Sequence, residues 1–267
     1  MTPKRLAVPL CLVLTVVVGL DLAADEIEDF FSARGPYETV SDLSTGPGDD
    51  FSLFTPADPG MGGRLHPVIT WGNGTFAIPL FYFDFLDHLA SHGFVVIASN
   101  DLFTGSGEAM LEGVDWILEQ NDDPTSFLFQ TIDVDSIGAT GHSQGGGGTI
   151  NAGNDPRIVC TAPIQAVPGN VDGLQGPMFA VAGEADTIVP AEGIALGIYL
   201  PSPVPSIFGV LDGATHFEPL GDAGRYRGYL TAWFAACLEE DQFARGAFVG
   251  DCSLCDNPDW LVFRKEG

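Results

Sequence analysis

Short β-branched and apolar runs alternate with stretches whose apolar residues recur every three or four positions, from about residue 67 to residue 240. Pro67-Val68-Ile69-Thr70 and Phe94-Val95-Val96-Ile97-Ala98 have the length and composition of strands buried on both faces. Between them, residues 80–91 set Phe81, Phe85, Leu86 and Leu89 along one helical stripe. Residues 108–120 do the same with Met110, Leu111, Val114, Ile117 and Leu118. The pattern predicts further strands at 136–140, 158–162, 177–182 and 206–211, a helix near 190–199 and a longer one over about 224–240. Residues 25–50 are acidic, with glycine and proline towards the end, and predict an arm leading into the first strands. Strands alternating with helices imply an α/β fold, a mainly parallel central sheet with helices on both faces.

The ends of the chain change this picture in one respect. Lys4 and Arg5 precede an apolar run from Leu6 to Leu20, and small residues follow at Ala23 and Ala24. That is the layout of a secretory signal peptide, and the run is short for a membrane span. Residues 1–24 are therefore expected to be a leader and 25–267 a single catalytic domain, secreted to the periplasm or the exterior as a monomer without stable membrane association. A formal charge of −26, with lysine only at Lys4 and Lys265, repels nucleic acid and anionic lipid surfaces, so no nucleic-acid partner is expected. Beyond Cys11, in the leader, the cysteines are Cys160, Cys237, Cys252 and Cys255. Export favours disulfides. Three pairings are open, of which a bridge from the helix carrying Cys237 to the tail carrying Cys252 and Cys255 is the expected one. The C-x-x-C spacing has no second copy and no nearby histidine, so no metal site is expected.

Candidate chemistry centres on Gly141-His142-Ser143-Gln144-Gly145, a serine between two glycines at the spacing of a nucleophile elbow. Ser136 to Thr140 supplies a strand before it, and Gly145 to Gly148 opens a helix after it. Glycine costs a helix about 1 kcal/mol per position relative to alanine, so four in succession imply close packing against neighbouring backbone. A serine hydroxyl needs a base, and the base needs an orienting carboxylate. The only histidine after Ser143 is His216, just beyond the strand at 206–211. Asp186, in the loop after the strand at 177–182, is the expected acid, ahead of Asp212, Asp172 and Glu184. His66, His88, His92 and His142 precede the serine and are expected to be surface or packing residues. Acyl transfer also needs two oxyanion donors, each worth about 3 kcal/mol of transition-state stabilisation. The Gln144 amide is one, and the loop Trp71-Gly72-Asn73-Gly74-Thr75-Phe76 is expected to supply the other.

Four ordered segments extend the pattern: Ala90 to Val96, Gly141 to Gly148, Gly183 to Ile188 and Leu211 to Phe217. In these the chain resembles the bacterial cutinase and polyester hydrolase branch of the α/β-hydrolases, with wider similarity to dienelactone hydrolase-like proteins, over about residues 67–241. The resemblance implies an α/β-hydrolase fold without a lid domain and a triad of Ser143, Asp186 and His216. It also implies oxyanion amides at Gln144 and Asn73, and no metal or organic cofactor. Trp71, Gly74, Thr75, Phe76 and Ile164 are expected to line the substrate. Two positions depart from the pattern: Gln144 stands where cutinases usually have methionine, and Ile164 where they have a tryptophan that helps bind aromatic polyester units. The expected activity is hydrolysis of short- to medium-chain esters and of polyesters. The alternatives are a triacylglycerol lipase, a depolymerase of another polyester, and a non-catalytic binding protein of the same fold.

Overall fold

The computed structural model describes residues 22–266, so all but the last three residues of the expected leader lie outside the described part. The chain runs through α1 (Leu22–Ser32), β1 (Thr39–Thr45), β2 (Phe51–Pro56), β3 (His66–Gly72), α2 (Phe83–Ser91), β4 (Val95–Ser99) and α3 (Glu108–Asp122). It continues through β5 (Ile132–His142), α4 (Gln144–Ala152), β6 (Ile158–Ile164), β7 (Met178–Gly183), α5 (Ala191–Ile194) and β8 (Ser206–Leu211). Last come α6 (Arg227–Leu238), α7 (Gln242–Arg245), α8 (Ser253–Asp256) and β9 (Trp260–Lys265). The strands form one sheet in the order β1-β2-β4-β3-β5-β6-β7-β8-β9. Neighbours from β4 to β8 are parallel, while β1, β2 and β9 add antiparallel edges.

The apolar runs are continuous because the inner strands are buried on both faces. Alternate residues of one strand go to opposite layers. On β4, Val96 and Ala98 join one core with Phe85, Leu89 and Phe234, whereas Val95 and Ile97 join another with Met110, Val114 and Ile117. On β7, Phe179 and Val181 belong to the first layer, and Met178, Ala180 and Ala182 pack with Ile194 and Phe208 on the opposite side.

Two expectations are corrected. Residues 25–50 are not an arm: α1 buries Ile27 and Phe31 in the core, and Gly228 of α6 comes so near that a Cβ there would lie 2.4 Å from Ser32 Oγ. Only Ile27, Phe30 and Phe31, at i, i+3 and i+4 among acidic neighbours, signal that helix. The helix expected near 190–199 is present, as α5 followed by one wide helical turn over Ala195–Tyr199. The disulfides join Cys160 to Cys237 and Cys252 to Cys255 rather than α6 to the tail. Cys160 lies on β6, which α6 crosses, so Cys237 meets the strand beneath it with a Cα–Cα distance of 6.6 Å.

The four histidines before Ser143 are tied into the packing. His66 Nδ1 meets the Gly93 carbonyl at 2.7 Å, His88 Nε2 that of Phe31 at 2.8 Å, and His92 Nε2 that of Ala33 at 2.9 Å. Burial, aided by the neighbouring His92, pushes His88 down to about 4. Burial, aided by His216, pushes His142 down to about 3. The unfolded chain takes up these protons near the ordinary histidine value of about 6.5. Below that pH the unfolded state binds more protons than the folded one, so stability is expected to fall as pH drops from about 6.5 towards 4. For His88 alone the loss reaches on the order of 3 kcal/mol by pH 4. Urea unfolding of the wild type and of His88→Asn across this range checks it: the variant should show the shallower pH slope, and identical slopes would contradict the assignment.

Candidate active site

The order of strands places a topological switch between β3 and β5, because the chain moves outward from β3 to β4 and then returns to build β5 to β8 on the other side. In open parallel sheets the crevice at such a switch, beyond the carboxyl ends of the strands, is where ligands bind. Asn73 follows the end of β3, and Ser143 follows the end of β5.

Ser143 has φ 58° and ψ −115°, a strained conformation for a residue with a Cβ. It is held there by backbone bonds on both sides: its N–H donates to the Ile164 carbonyl at 2.9 Å, and its carbonyl accepts from Val167 N–H at 3.1 Å. The glycines around it are required by contact. A Cβ on Gly141 would lie 2.6 Å from the Gly72 and Gly145 carbonyl oxygens, and one on Gly145 would lie 2.1 Å from the Gly72 oxygen. On Gly148 it would meet the Thr104 oxygen at 2.1 Å, on Gly146 the Ala166 Cβ at 2.6 Å, and on Gly147 a Val167 methyl at 2.8 Å. The first turns of α4 are thus wedged between three loops, which accounts for the glycine run.

The structure brings Ser143, His216 and Asp186 into one hydrogen-bonded line. His216 Nε2 lies 3.0 Å from Ser143 Oγ, and His216 Nδ1 lies 2.7 Å from Asp186 Oδ2. Asp186 Oδ1 accepts from the amides of Ile188 and Val189 at 2.8 and 2.9 Å, so both carboxylate oxygens are engaged and the group is fixed. Asp186 and His216 are buried, and Ser143 is half-buried at the mouth. The loop carrying His216 is braced where the Ala185 N–H donates to the Ala214 carbonyl at 3.0 Å. Gln165, at a φ of 44°, donates from Nε2 to the Thr215 carbonyl at 2.8 Å and towards Tyr226 Oη at 3.3 Å. No periodicity or motif spacing marks Gln165; only its place just after β6 does.

Gln144 and Asn73 sit on adjoining segments, and neither backbone amide has an acceptor among the described residues. The Asn73 side chain is buried, accepting from the Trp71 indole at 3.0 Å and donating to the carbonyls of Ser99 and Asp101. Thr104 Oγ1 donates to the Asn73 carbonyl at 3.0 Å, which ties the loop after β4 to the loop after β3. Gly74 is buried, and its N–H donates to Tyr82 Oη at 3.2 Å; the same hydroxyl meets His142 Nδ1 at 3.0 Å. Tyr82 was not foreseen, since nothing in its helical spacing separates it from core aromatics.

Two expected substrate contacts lie elsewhere. Trp71 is wholly buried against Tyr82 and Phe85, because its position near the end of β3 turns the indole into the core. Ile164 is also wholly buried, and it reaches the site through its carbonyl on Ser143 N–H rather than through its side chain. Thr75 and Phe76 are exposed. Phe76, at a φ of 62°, packs edge-to-face on Phe103 with ring centroids 5.2 Å apart, and both rings face solvent.

With this geometry established, the chain can be set beside known proteins. A family model described as PET hydrolase-like matches residues 80–260. The chain belongs to the PET hydrolase-like family. As a family member it is a carboxylic ester hydrolase of the serine type, and Ser143, Asp186 and His216 all fall within the matched span. It is 30% identical over 231 residues to the bis(hydroxyethyl) terephthalate hydrolase of Streptomyces coelicolor, covering 78% of this chain and 69% of that one. It is 30% identical over 165 residues to Cutinase 1 of Thermobifida cellulosilytica, with coverage of 58% and 62%. The cutinase of Thermobifida fusca is 28% identical over 165 residues, 58% of this chain and 54% of that one. The matched stretch is therefore between about half and just over two thirds of these relatives' own lengths. Among the described residues no group of three or more His, Cys, Asp or Glu side chains could hold a metal ion, and no helix is long and apolar enough to cross a membrane.

Proposed function

We propose that this PET hydrolase-like chain cleaves esters by acyl transfer through Ser143. The reading is carried by the two bonds of His216, 3.0 Å to Ser143 Oγ and 2.7 Å to Asp186 Oδ2. His216 Nε2 takes the hydroxyl proton as Oγ attacks the ester carbonyl, while Asp186 holds Nδ1–H and stabilises the imidazolium. The negative charge that develops on the carbonyl oxygen is met by the amides of Gln144 and Asn73. His216 then gives its proton to the departing alcohol. Water attacks the acyl-enzyme by the same route in reverse, releasing the acid and restoring Ser143.

The substrate class follows from the surroundings of Ser143. Phe76, Phe103, Ile188 and Phe217, on four different loops at the carboxyl edge of the sheet, are all more than half exposed. Such a rim favours an apolar ester and an extended polyester surface over a small polar one. The Streptomyces relative is named for an aromatic diester and the Thermobifida relatives for cutin, so both ester types belong in the substrate panel. With Ile164 in the core, the Phe76–Phe103 pair, together with Phe217, offers an aromatic surface for such a ring. Residues 25–267 are proposed to act as one monomeric catalytic unit outside the cell, a setting that suits the two disulfides.

A panel of p-nitrophenyl butyrate, bis(hydroxyethyl) terephthalate, emulsified triglyceride and polyester film tests this reading, together with labelling by a fluorophosphonate probe. Cleavage of the first two and a single label on Ser143 are expected. A chain that neither reacts with the probe nor cleaves the soluble esters would be a binding protein, and preference for emulsified triglyceride would make it a lipase. In Phe76→Ala/Phe103→Ala, kcat/KM for the terephthalate ester should fall about tenfold while that for p-nitrophenyl acetate stays within about twofold. Equal losses on both esters would remove the aromatic pair from substrate recognition.

A further inference from the structure

A chain carrying −26 formal charges has carboxylates available to nearly every cation. Five arginines follow that expectation: Arg34 pairs with Asp87, Arg64 with Glu239, Arg157 with Asp115 and Asp155, Arg225 with Glu218, and Arg227 with Asp222. Among the described residues three cations have no carboxylate partner, Arg245, Arg264 and Lys265, and all three line one cavity of about 730 Å³. That volume is in the usual range of small-molecule sites.

The cavity lies at the amino ends of β6, β7 and β8, where Val159, Pro177 and Pro205 form part of its wall. Ser143, Asp186 and His216 follow the opposite ends of the parallel strands, about 20 Å away along a six-residue strand. Trp233, Phe248 and Ile207 give it apolar walls, and the buried Trp233 indole N–H has no acceptor among the described residues. Arg264 uses one guanidinium nitrogen on the Phe248 carbonyl at 3.2 Å, and Lys265 Nζ is engaged by the carbonyls of Leu200 and Ser202. Among the described residues Arg245 donates to no protein group, so its fork and the remainder of that of Arg264 are left for a ligand. Glu240 and Glu266 also face the cavity.

We propose that this cavity binds an amphipathic monocarboxylate, the class of compound that ester cleavage releases. The guanidinium fork matches a carboxylate in two parallel bonds, and the indole and phenyl walls take its apolar body. The net charge and the two glutamates oppose multiply charged anions, so a single negative charge on an apolar body is the ligand that meets least repulsion. The site is separate from the catalytic reading and stands or falls independently of it.

Titration of the full chain with octanoate, followed by calorimetry and tryptophan fluorescence, tests the proposal. One saturable site is expected. In Arg245→Gln/Arg264→Gln its affinity should fall about tenfold or more, with ester cleavage unchanged. Octanol of equal length and inorganic phosphate should each bind about tenfold more weakly than octanoate in the wild type. Should loss of the Arg264 bond to Phe248 unfold the double variant, Arg245→Gln alone carries the test, with about a fivefold loss expected. Absence of saturable binding, equal affinity in the arginine variants, or phosphate or octanol binding as tightly as octanoate would each overturn it.

Discussion

Replacing Ser143 by alanine is expected to lower kcat for p-nitrophenyl butyrate about a million-fold, with the fold and the thermal midpoint nearly unchanged. The size of the loss follows from how the three groups act. His216 has no proton to remove once Oγ is gone, and Asp186 then orients an imidazole that does nothing. Removing His216 or Asp186 from the alanine variant should therefore cost almost nothing more, because residues that act as one unit are not additive. What survives over water is the contribution of the proposed oxyanion amides of Gln144 and Asn73 and of substrate binding, about 10³-fold. The measurement is initial rate against total folded protein, for the single variants and for Ser143→Ala/His216→Ala. A Ser143→Ala protein at the wild-type rate would end the acyl-enzyme reading. Multiplicative losses in the double variant would show that His216 acts on something other than the serine.

The second large effect is expected at Gly145. A methyl group there would lie 2.1 Å from the Gly72 oxygen and 2.5 Å from the Asn73 oxygen, both backbone atoms with no rotamer to move aside. Either α4 or the loop after β3 shifts, and each carries one of the two proposed oxyanion amides. Gly145→Ala is expected to cost more than about 4 kcal/mol, equivalent to a fall in melting temperature of roughly 10 °C. In whatever fraction folds, kcat should drop about a hundredfold or more, since a displacement near 1 Å at the reacting centre has that effect. Gly193 in α5 is the contrasting position, with open space where its Cβ would go and no positive φ. Gly193→Ala should leave activity unchanged and raise stability by about 0.5–1 kcal/mol. Equal melting temperatures for the two variants would show that contact at Gly145 is not what the glycine relieves.

Much of the fold was legible because the inner strands are buried twice. The strand predicted at 206–211 coincides with β8, and those at 158–162 and 177–182 match β6 and β7 to within two residues. β5 begins four residues earlier than predicted because Asp133 and Asp135 occupy its exposed start, where packing no longer selects apolar residues. The edges were hidden for the same reason. β1 is polar along most of its length, and β9 has only one buried residue, Trp260. At the site, the order of serine, acid and histidine could be read along the chain, since each follows a strand. Which side chains point outward could not: Trp71 and Ile164 differ from Phe76 in direction, not in type. Nor could the pairing of Cys160 with Cys237, which depends on α6 crossing β6 rather than on spacing along the chain.

That last bridge bears on how the molecule is obtained. Cys160 and Cys237 are 77 residues apart, and β6, which one of them anchors, ends in the carbonyl that holds the Ser143 amide. A production host whose cytoplasm keeps thiols reduced would deliver chains without this link, differing from the oxidised form in cohesion beneath the elbow while identical in mass but for the lost hydrogens. Preparations from the two compartments are distinct materials, and activities compared between laboratories acquire meaning only once the thiol content of each has been counted.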